Sequence, residues 1–124
     1  TDTIDYITIA NTGNATDFGN LIASINYLAS CASQTRAVFA GGLNGGAHDR
    51  IQYITIASTG NATDFGDLLA PTYNFAGTSN SSRGVFASGS TNVIQYITID
   101  TPGNATDFGD LTVSAGNIAA CSGD

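Results

Sequence analysis

The chain has 124 residues, and its ten acidic side chains, all Asp, outnumber three Arg and no Lys, which gives a formal net charge of −7 at pH 7. This charge argues against electrostatic binding of nucleic acid or of an anionic membrane, and no apolar run approaches the roughly 20 residues that cross a bilayer. The lack of Lys and Glu, with abundant Gly, Thr, Ser, Asn and Ile, favours strands and turns within at most one ordinary domain.

A sixteen-residue motif occurs three times along the chain. It reads IDYITIANTGNATDFG from Ile4, IQYITIASTGNATDFG from Ile51 and IQYITIDTPGNATDFG from Ile94. A repeat at this period fixes the architecture before any single residue is interpreted. We therefore divide residues 1–124 into one repeat domain with repeats at about 4–50, 51–93 and 94–124.

The first element of each repeat, I-x-Y-I-T-I, is predicted to be a strand because branched and aromatic residues dominate it. Both faces are apolar, since Ile4 and Tyr6 point one way and Ile7 and Ile9 the other. A strand of this kind lies between two layers. The pattern places five aromatic side chains in the packed interior: Tyr6, Tyr53, Tyr96, Phe39 and Phe86.

The remaining elements follow in a fixed order. A turn centred on Gly13, Gly60 or Gly103 is expected to use a positive φ at the glycine. It leads into a short A-T-D-F-G-[DN]-L strand and then a strand of small residues at 28–31, 75–78 and 118–121. A last strand, R-[AG]-V-F-A-[GS]-G, occurs only twice, at 36–42 and 83–89, so the third repeat lacks its final strand.

Four short antiparallel strands per 43–47 residues, separated by Gly, are typical of a β-propeller blade. The order of the strands resembles a kelch-type blade: Gly41-Gly42 matches the kelch Gly pair, Tyr53 matches the second-strand aromatic, and Phe65 stands where kelch repeats carry Trp. The phrase Y-I-T-I-x-x-x-G-N-A-T-D-F-G-D-L also resembles repeats in structural or tail proteins of marine bacteriophages. These resemblances imply a structural protein of a virion or an extracellular assembly.

Propellers need four to eight blades to close a ring, whereas this chain holds about 2.75 repeats. Open ends would expose rows of apolar side chains and an unpaired strand edge. Self-association or a longer parent assembly is therefore expected. Three arrangements satisfy this requirement: the chain is a piece of a longer propeller, several copies form a ring, or the repeats stack into a fibre or onto a partner.

The candidate ligand-binding residues lie where the repeats differ. The loop Leu43–Arg50 is four residues longer than its counterpart Ser90–Val93 and contains the only His. A loop on a rigid scaffold is a common place for binding function, so its polar residues are candidates, and the alternative is a tolerated surface insertion. These residues are Asn44, His48, Asp49 and Arg50.

Arg36 and Arg83 begin the R-[AG]-V-F-A strands. They could line a central channel and bind an anion or a sugar, and the alternative is pairing with an Asp of a neighbouring repeat. Separately, the series Asn61-x-x-Asp64-x-x-Asp67 offers oxygen ligands that calcium accepts. The alternative there is hydrogen bonding of turns and strand ends by the Asx side chains, with no cofactor.

Cys31 and Cys121 occupy equivalent positions two repeats apart. They are interpreted as small buried hydrophobes, with a disulfide possible only if their repeats touch and no support for a metal site.

The sequence has no Glu, no Lys, a single His and neither a G-x-S-x-G nor an H-E-x-x-H motif, so no enzymatic activity is expected. The sequence favours a structural or binding module. The alternative is a glycan-binding adhesin or lectin-like propeller that recognises a host-surface glycan.

Overall fold

The computed structural model describes residues 1–123, and within that range the chain forms strands and no helix, as the composition predicts. The strands are, in chain order, β1 Thr3–Tyr6, β2 Thr16–Asn20, β3 Ala29–Ala32, β4 Arg36–Ala40, β5 Arg50–Thr55, β6 Thr63–Asp67, β7 Phe75–Ser79, β8 Arg83–Ser88, β9 Thr91–Thr98 and β10 Thr106–Ala115. All pairings between them are antiparallel.

The strands form three small sheets. The first sheet is β1-β2, the second is β3-β4-β5-β6 and the third is β7-β8-β9-β10. Within each sheet, strands that are consecutive in the chain are also neighbours in space. The predicted order of small-residue, R-x-V-F, I-x-Y-I-T-I and D-F-G strands is confirmed in both four-stranded sheets. Residues 1–123 form no closed barrel or ring.

Each sheet has an irregular register at its D-F-G strand. The pairing of β5 with β6 skips Phe65, and the pairings β1-β2 and β9-β10 skip Phe18 and Phe108 at the same place. An extra unpaired residue bends a strand and re-aims its side chain. The skipped Phe65 lies edge-on to Tyr53 of the adjacent strand, with ring centroids 5.8 Å apart. The repeated bulge therefore builds an aromatic pair in every repeat.

The hydrophobic core lies mainly between the second and third sheets. Val38 and Ile51 point from the second sheet, and Phe86 and Ile97 point from the third sheet. Each of these side chains is at most 3% exposed. The strands β3 and β7 approach so closely that a side chain at Gly77 would meet the carbonyl oxygen of Ser30. The second and third sheets therefore pack on each other. The I-x-Y-I-T-I pattern, which is apolar on both faces, predicts such packing for β5.

The first sheet has only two strands, and this overturns part of the predicted interior. Phe86 is buried, whereas Phe39, Tyr53 and Tyr96 are partly buried and Tyr6 is 43% exposed. The placement of Tyr6 in the interior is therefore wrong. The reason is that β1 and β2 have no small-residue or R-x-V-F strand beside them among the described residues. The small-residue segment 118–121, expected to be a strand, is also not in a regular strand.

Candidate functional site

The loop Leu43–Arg50 is fixed to its surroundings by hydrogen bonds. The side-chain amide of Asn44 donates to the carbonyl oxygen of Ser24 at 2.8 Å. The carbonyl oxygens of His48 and Asp49 accept from the amides of Thr72 at 3.0 Å and Leu68 at 2.7 Å. The loop therefore closes one end of the second sheet against the segments on both sides of it.

The polar side chains of this loop do not converge on a ligand-sized site. His48 Nε2 lies 3.4 Å from the carbonyl oxygen of Asn44, within the same loop. His48, Asp49 and Arg50 are half-buried, and Asn44 is exposed. The hydrogen bonds that hold the loop to the neighbouring segments are made mostly by its backbone atoms.

Arg36 connects the second sheet to the third. Its guanidinium carbon lies 4.4 Å from the centre of the Tyr53 ring, and its Nη1 donates to the carbonyl oxygen of Ile99 at 2.8 Å. The neighbouring repeat thus supplies the partner of Arg36, as the pairing alternative expects, but the partner is a carbonyl oxygen and not an Asp. Arg83 stacks in the same way on Tyr96 at 4.3 Å.

The six candidate residues fall into separate places. Arg36 is at the start of β4 and pairs with Thr55 at the end of β5, whereas Arg50 begins β5. A five-residue strand is about 16 Å long, so the loop and the Arg36 guanidinium lie at opposite ends of one hairpin. Arg83 belongs to the third sheet. The structure therefore does not bring the loop residues and the two strand-initial arginines together.

The best-defined polar arrangement is a contact between successive repeats. The turn of the second repeat lies against β2 of the first: Ala62 N donates to Asn20 O at 2.8 Å, and Asn20 N donates to Asn61 Oδ1 at 3.0 Å. Gly60 N donates to Phe18 O at 2.8 Å. A turn that follows I-x-Y-I-T-I therefore adds its backbone and its Asn side chain to the free edge of the preceding D-F-G strand.

The same contact forms again between the second and third repeats. Ala105 N donates to Asp67 O at 2.8 Å, and Asp67 N donates to Asn104 Oδ1 at 3.0 Å. Asn61 and Asn104 are thus hydrogen-bond acceptors between repeats. These hydrogen bonds are of the kind that the Asx interpretation predicts for Asn61 and Asn104. The described part of the chain holds no group of three or more His, Cys, Asp or Glu placed to bind a metal.

Close approach explains the glycine of the D-F-G strand. A Cβ atom at Gly66 would lie 2.5 Å from the carbonyl carbon of Gly103, and one at Gly19 would lie 2.5 Å from that of Gly60. Both glycines also have φ of 147°. Among the turn glycines, Gly60 has a positive φ of 158°, as predicted, whereas Gly13 and Gly103 do not have positive φ. The positive φ that glycine allows also occurs in the D-F-G strand that receives the turn, at Gly19 and Gly66.

Two buried glutamines complete the contact. Gln52 and Gln95 are 3% and 4% exposed. Gln52 Oε1 accepts from Ile22 N at 2.8 Å, and Gln95 Oε1 accepts from Leu69 N at 2.8 Å. Burying an amide without partners costs stability, so each glutamine serves to cap a backbone amide just beyond the D-F-G strand. A glutamine within the otherwise apolar I-Q-Y-I-T-I strand was the sequence feature that could have indicated this buried hydrogen bond.

The two cysteines have different environments. Cys31 is buried, Cys121 is exposed, and both thiols are free. Desolvation by burial raises the pKa of the Cys31 thiol to about 12. A thiol reacts as its thiolate, so Cys31 is inert at neutral pH. Its interpretation as a small buried hydrophobe is confirmed, and the same interpretation of Cys121 is wrong.

A polar cavity of about 500 Å³ opens at the turns that follow β3 and β7. Hydroxyl and amide side chains line it, among them Ser33, Gln34, Ser79 and Asn80. Asn80 Oδ1 accepts from Arg83 N at 2.7 Å, so that turn is held in place. The cavity offers neutral donors and acceptors and does not involve the Leu43–Arg50 loop.

No protein-family model and no curated protein matches this sequence. Residues 1–123 contain no helix long and apolar enough to cross a membrane.

Proposed function

We propose that the chain is a non-enzymatic structural and binding module built of kelch-like propeller blades, and that it works in a virion, as part of a phage tail or fibre, or in another extracellular assembly. The observation that carries the proposal is the repeated contact between a turn and the preceding D-F-G strand, at Asn20–Asn61 and again at Asp67–Asn104. A contact copied from repeat to repeat serves to join units in series.

In this proposal the four-stranded sheets are blades and the two-stranded sheet is a partial blade. The module acts without a cofactor, and its partners are further repeats of the same kind. The net charge of −7 disfavours nucleic acid and anionic membranes as partners.

The proposal is tested by the mass and shape of the purified protein. Light scattering and negative-stain electron microscopy are expected to show particles heavier than the 12.6 kDa chain, as rings or fibres. A folded, stable monomer at micromolar concentration would refute the assembly role.

A second candidate function is glycan binding, which the polar cavity near Ser33 and Asn80 favours. Neutral hydroxyl and amide groups suit the hydroxyl-rich surface of a sugar. A glycan array with the wild-type chain and a Gln34→Ala variant separates the two functions. Selective binding that the variant loses supports the adhesin, and a uniform background leaves the structural role.

A further inference from the structure

Among residues 1–123, one half of the contact between repeats is left free in the first repeat and the other half in the third. Gly109 in β10 has φ of 143°, close to the 147° of Gly19 and Gly66, yet no atom of residues 1–123 lies within 4 Å of a Cβ built there. The turn around Gly13 is the counterpart of the turns around Gly60 and Gly103. Asn61 and Asn104 in those turns accept hydrogen bonds from the preceding repeat, whereas Asn14 accepts none among residues 1–123. β10 is therefore an empty receiving strand, and the turn 12–15 is an undocked turn.

Apolar side chains that are buried at the internal contacts are exposed at both ends. Phe108 is 54% exposed, whereas its equivalents Phe18 and Phe65 are 7% and 3% exposed. Ile9 is 95% exposed, whereas its equivalents Ile56 and Ile99 are 44% and 0% exposed. Ile56 lies beside the two-stranded first sheet, which has no strand equivalent to β4 in the described part of the chain. The third repeat thus exposes Phe108 and the first repeat exposes Ile9, and docking of the first repeat on the third would cover both side chains.

Arg83 is held in position for the same contact. Arg36 stacks on Tyr53 and donates to the carbonyl oxygen of Ile99 in the next repeat. Arg83 stacks equally on Tyr96, and its equivalent acceptor is the carbonyl oxygen of Ile9. That carbonyl belongs to the first repeat, at the other end of the chain.

We propose that the chain binds a second copy of itself head to tail, with the turn 12–15 of one copy on β10 of the other. By equivalence with the internal contacts, Ala15 N donates to Asp110 O, Asp110 N donates to Asn14 Oδ1, and Thr112 N donates to the Asp5 carboxylate. Two different surfaces meet, so the assembly is a ring if the rotation closes and a filament if it does not.

The first repeat carries an acceptor at each equivalent position, with a shorter side chain at the glutamine position. Asp5 stands where the other repeats have Gln52 and Gln95, and the hydrogen bonds of those glutamines with the preceding strand use the side-chain oxygen. A carboxylate provides such an acceptor. The contact between the first and second repeats forms although the first sheet has only two strands. In that contact the two-stranded first sheet supplies the receiving strand, whereas in the proposed contact it supplies the turn.

Mixed crosslinking of two single-cysteine variants tests the geometry. The variants Thr12→Cys and Asp110→Cys are prepared separately in a Cys121→Ser background, and the buried Cys31 thiol does not compete. Both substitutions spare the backbone groups and the Asn14 side chain that make the bonds. The intramolecular pair Asn20→Cys with Thr59→Cys is the matched control, because it places the reagent across an internal contact.

A short bismaleimide is expected to give a covalent dimer from the mixture and none from either variant alone. Dimers from Thr12→Cys alone would indicate a two-fold contact and would overturn the head-to-tail arrangement. Absence of a linked mixture while the control pair links would overturn it too.

A second measurement separates this inference, which rests on the proposed function, from that function itself. Light scattering of Ile9→Asp, a substitution at a fully solvated side chain, is expected to show association weakened at least about tenfold, because a charge enters an apolar contact. Thr8→Asp adds the same charge at the neighbouring exposed position and is expected to assemble as wild type. If wild type does not assemble, both proposals fail. If wild type and Ile9→Asp assemble equally, only the head-to-tail contact is wrong.

Discussion

Gly66 and Gly109 form a matched pair that measures the contact between repeats. They occupy the same place in the D-F-G strand with φ of 147° and 143°, so an alanine meets the same backbone strain at both, about 1–3 kcal/mol. They differ in what faces them. A Cβ at Gly66 would lie 2.5 Å from the carbonyl carbon of Gly103, and a Cβ at Gly109 has no neighbour within 4 Å among residues 1–123.

The difference between the two alanine variants follows from these distances. Carbon atoms in contact sit about 3.5–4.0 Å apart, so the turn at Gly103 must move about 1 Å away from Gly66→Ala. The movement weakens two hydrogen bonds, Ala105 N to Asp67 O and Asp67 N to Asn104 Oδ1. At about 0.5–1.5 kcal/mol each, their loss destabilises Gly66→Ala by about 1–3 kcal/mol more than Gly109→Ala.

Urea unfolding followed by circular dichroism measures the two free energies of unfolding. Both variants are made in the Ile9→Asp background, so that assembly does not contribute to the stability of either one. Equal m-values are required for the comparison. Equal destabilisation of the two variants, within about 0.5 kcal/mol, would refute the role of the turn contact.

Three further outcomes are expected. Phe86→Ala removes a side chain that is 0% exposed and is expected to cost about 3–5 kcal/mol in urea unfolding; a cost below about 1 kcal/mol would show that the ring is not core. Gln52→Leu removes the acceptor for Ile22 N and is expected to cost about 1–3 kcal/mol, which a thermal or urea midpoint equal to that of wild type would contradict. Burial raises the pKa of the Cys31 thiol from 9.0 to about 12, above its value in the unfolded chain. The protonated thiol therefore makes its full contribution to the free energy of unfolding below pH 9, and that contribution falls as the pH rises toward about 12. Cys31→Ala is expected to flatten this part of the pH profile, and a thiol reagent at pH 8 is expected to label Cys121 alone in the folded protein.

The strands could be predicted from local pattern because their signals are local. I-x-Y-I-T-I, D-F-G and R-x-V-F carry branched and aromatic residues between glycines, and each became a strand in the expected order. The interior was less predictable, because burial depends on what lies opposite. Tyr6 and Tyr53 occupy the same place in their repeats, yet the first lies in a sheet of two strands and the second in a sheet of four.

The candidate site shows the same division. The loop insertion at Leu43–Arg50 was visible in the sequence as a difference between repeats, but its backbone contacts with Thr72 and Leu68 were not. The Asn residues just before the A-T-D-F-G strand suggested an Asx function, and the structure gives the partner of Asn61 as the backbone amide of Asn20 in the preceding repeat.

The sequence by itself determined the repeat, the all-β composition and the order of strands in each sheet, because these follow from side-chain type and spacing along one segment. The tertiary structure alone decided that the D-F-G glycine makes room for a neighbouring turn, that Gln52 and Gln95 cap backbone amides across repeats, and that Arg36 bonds to a carbonyl oxygen. Those assignments depend on atoms far apart in the chain, whose distances no local pattern contains.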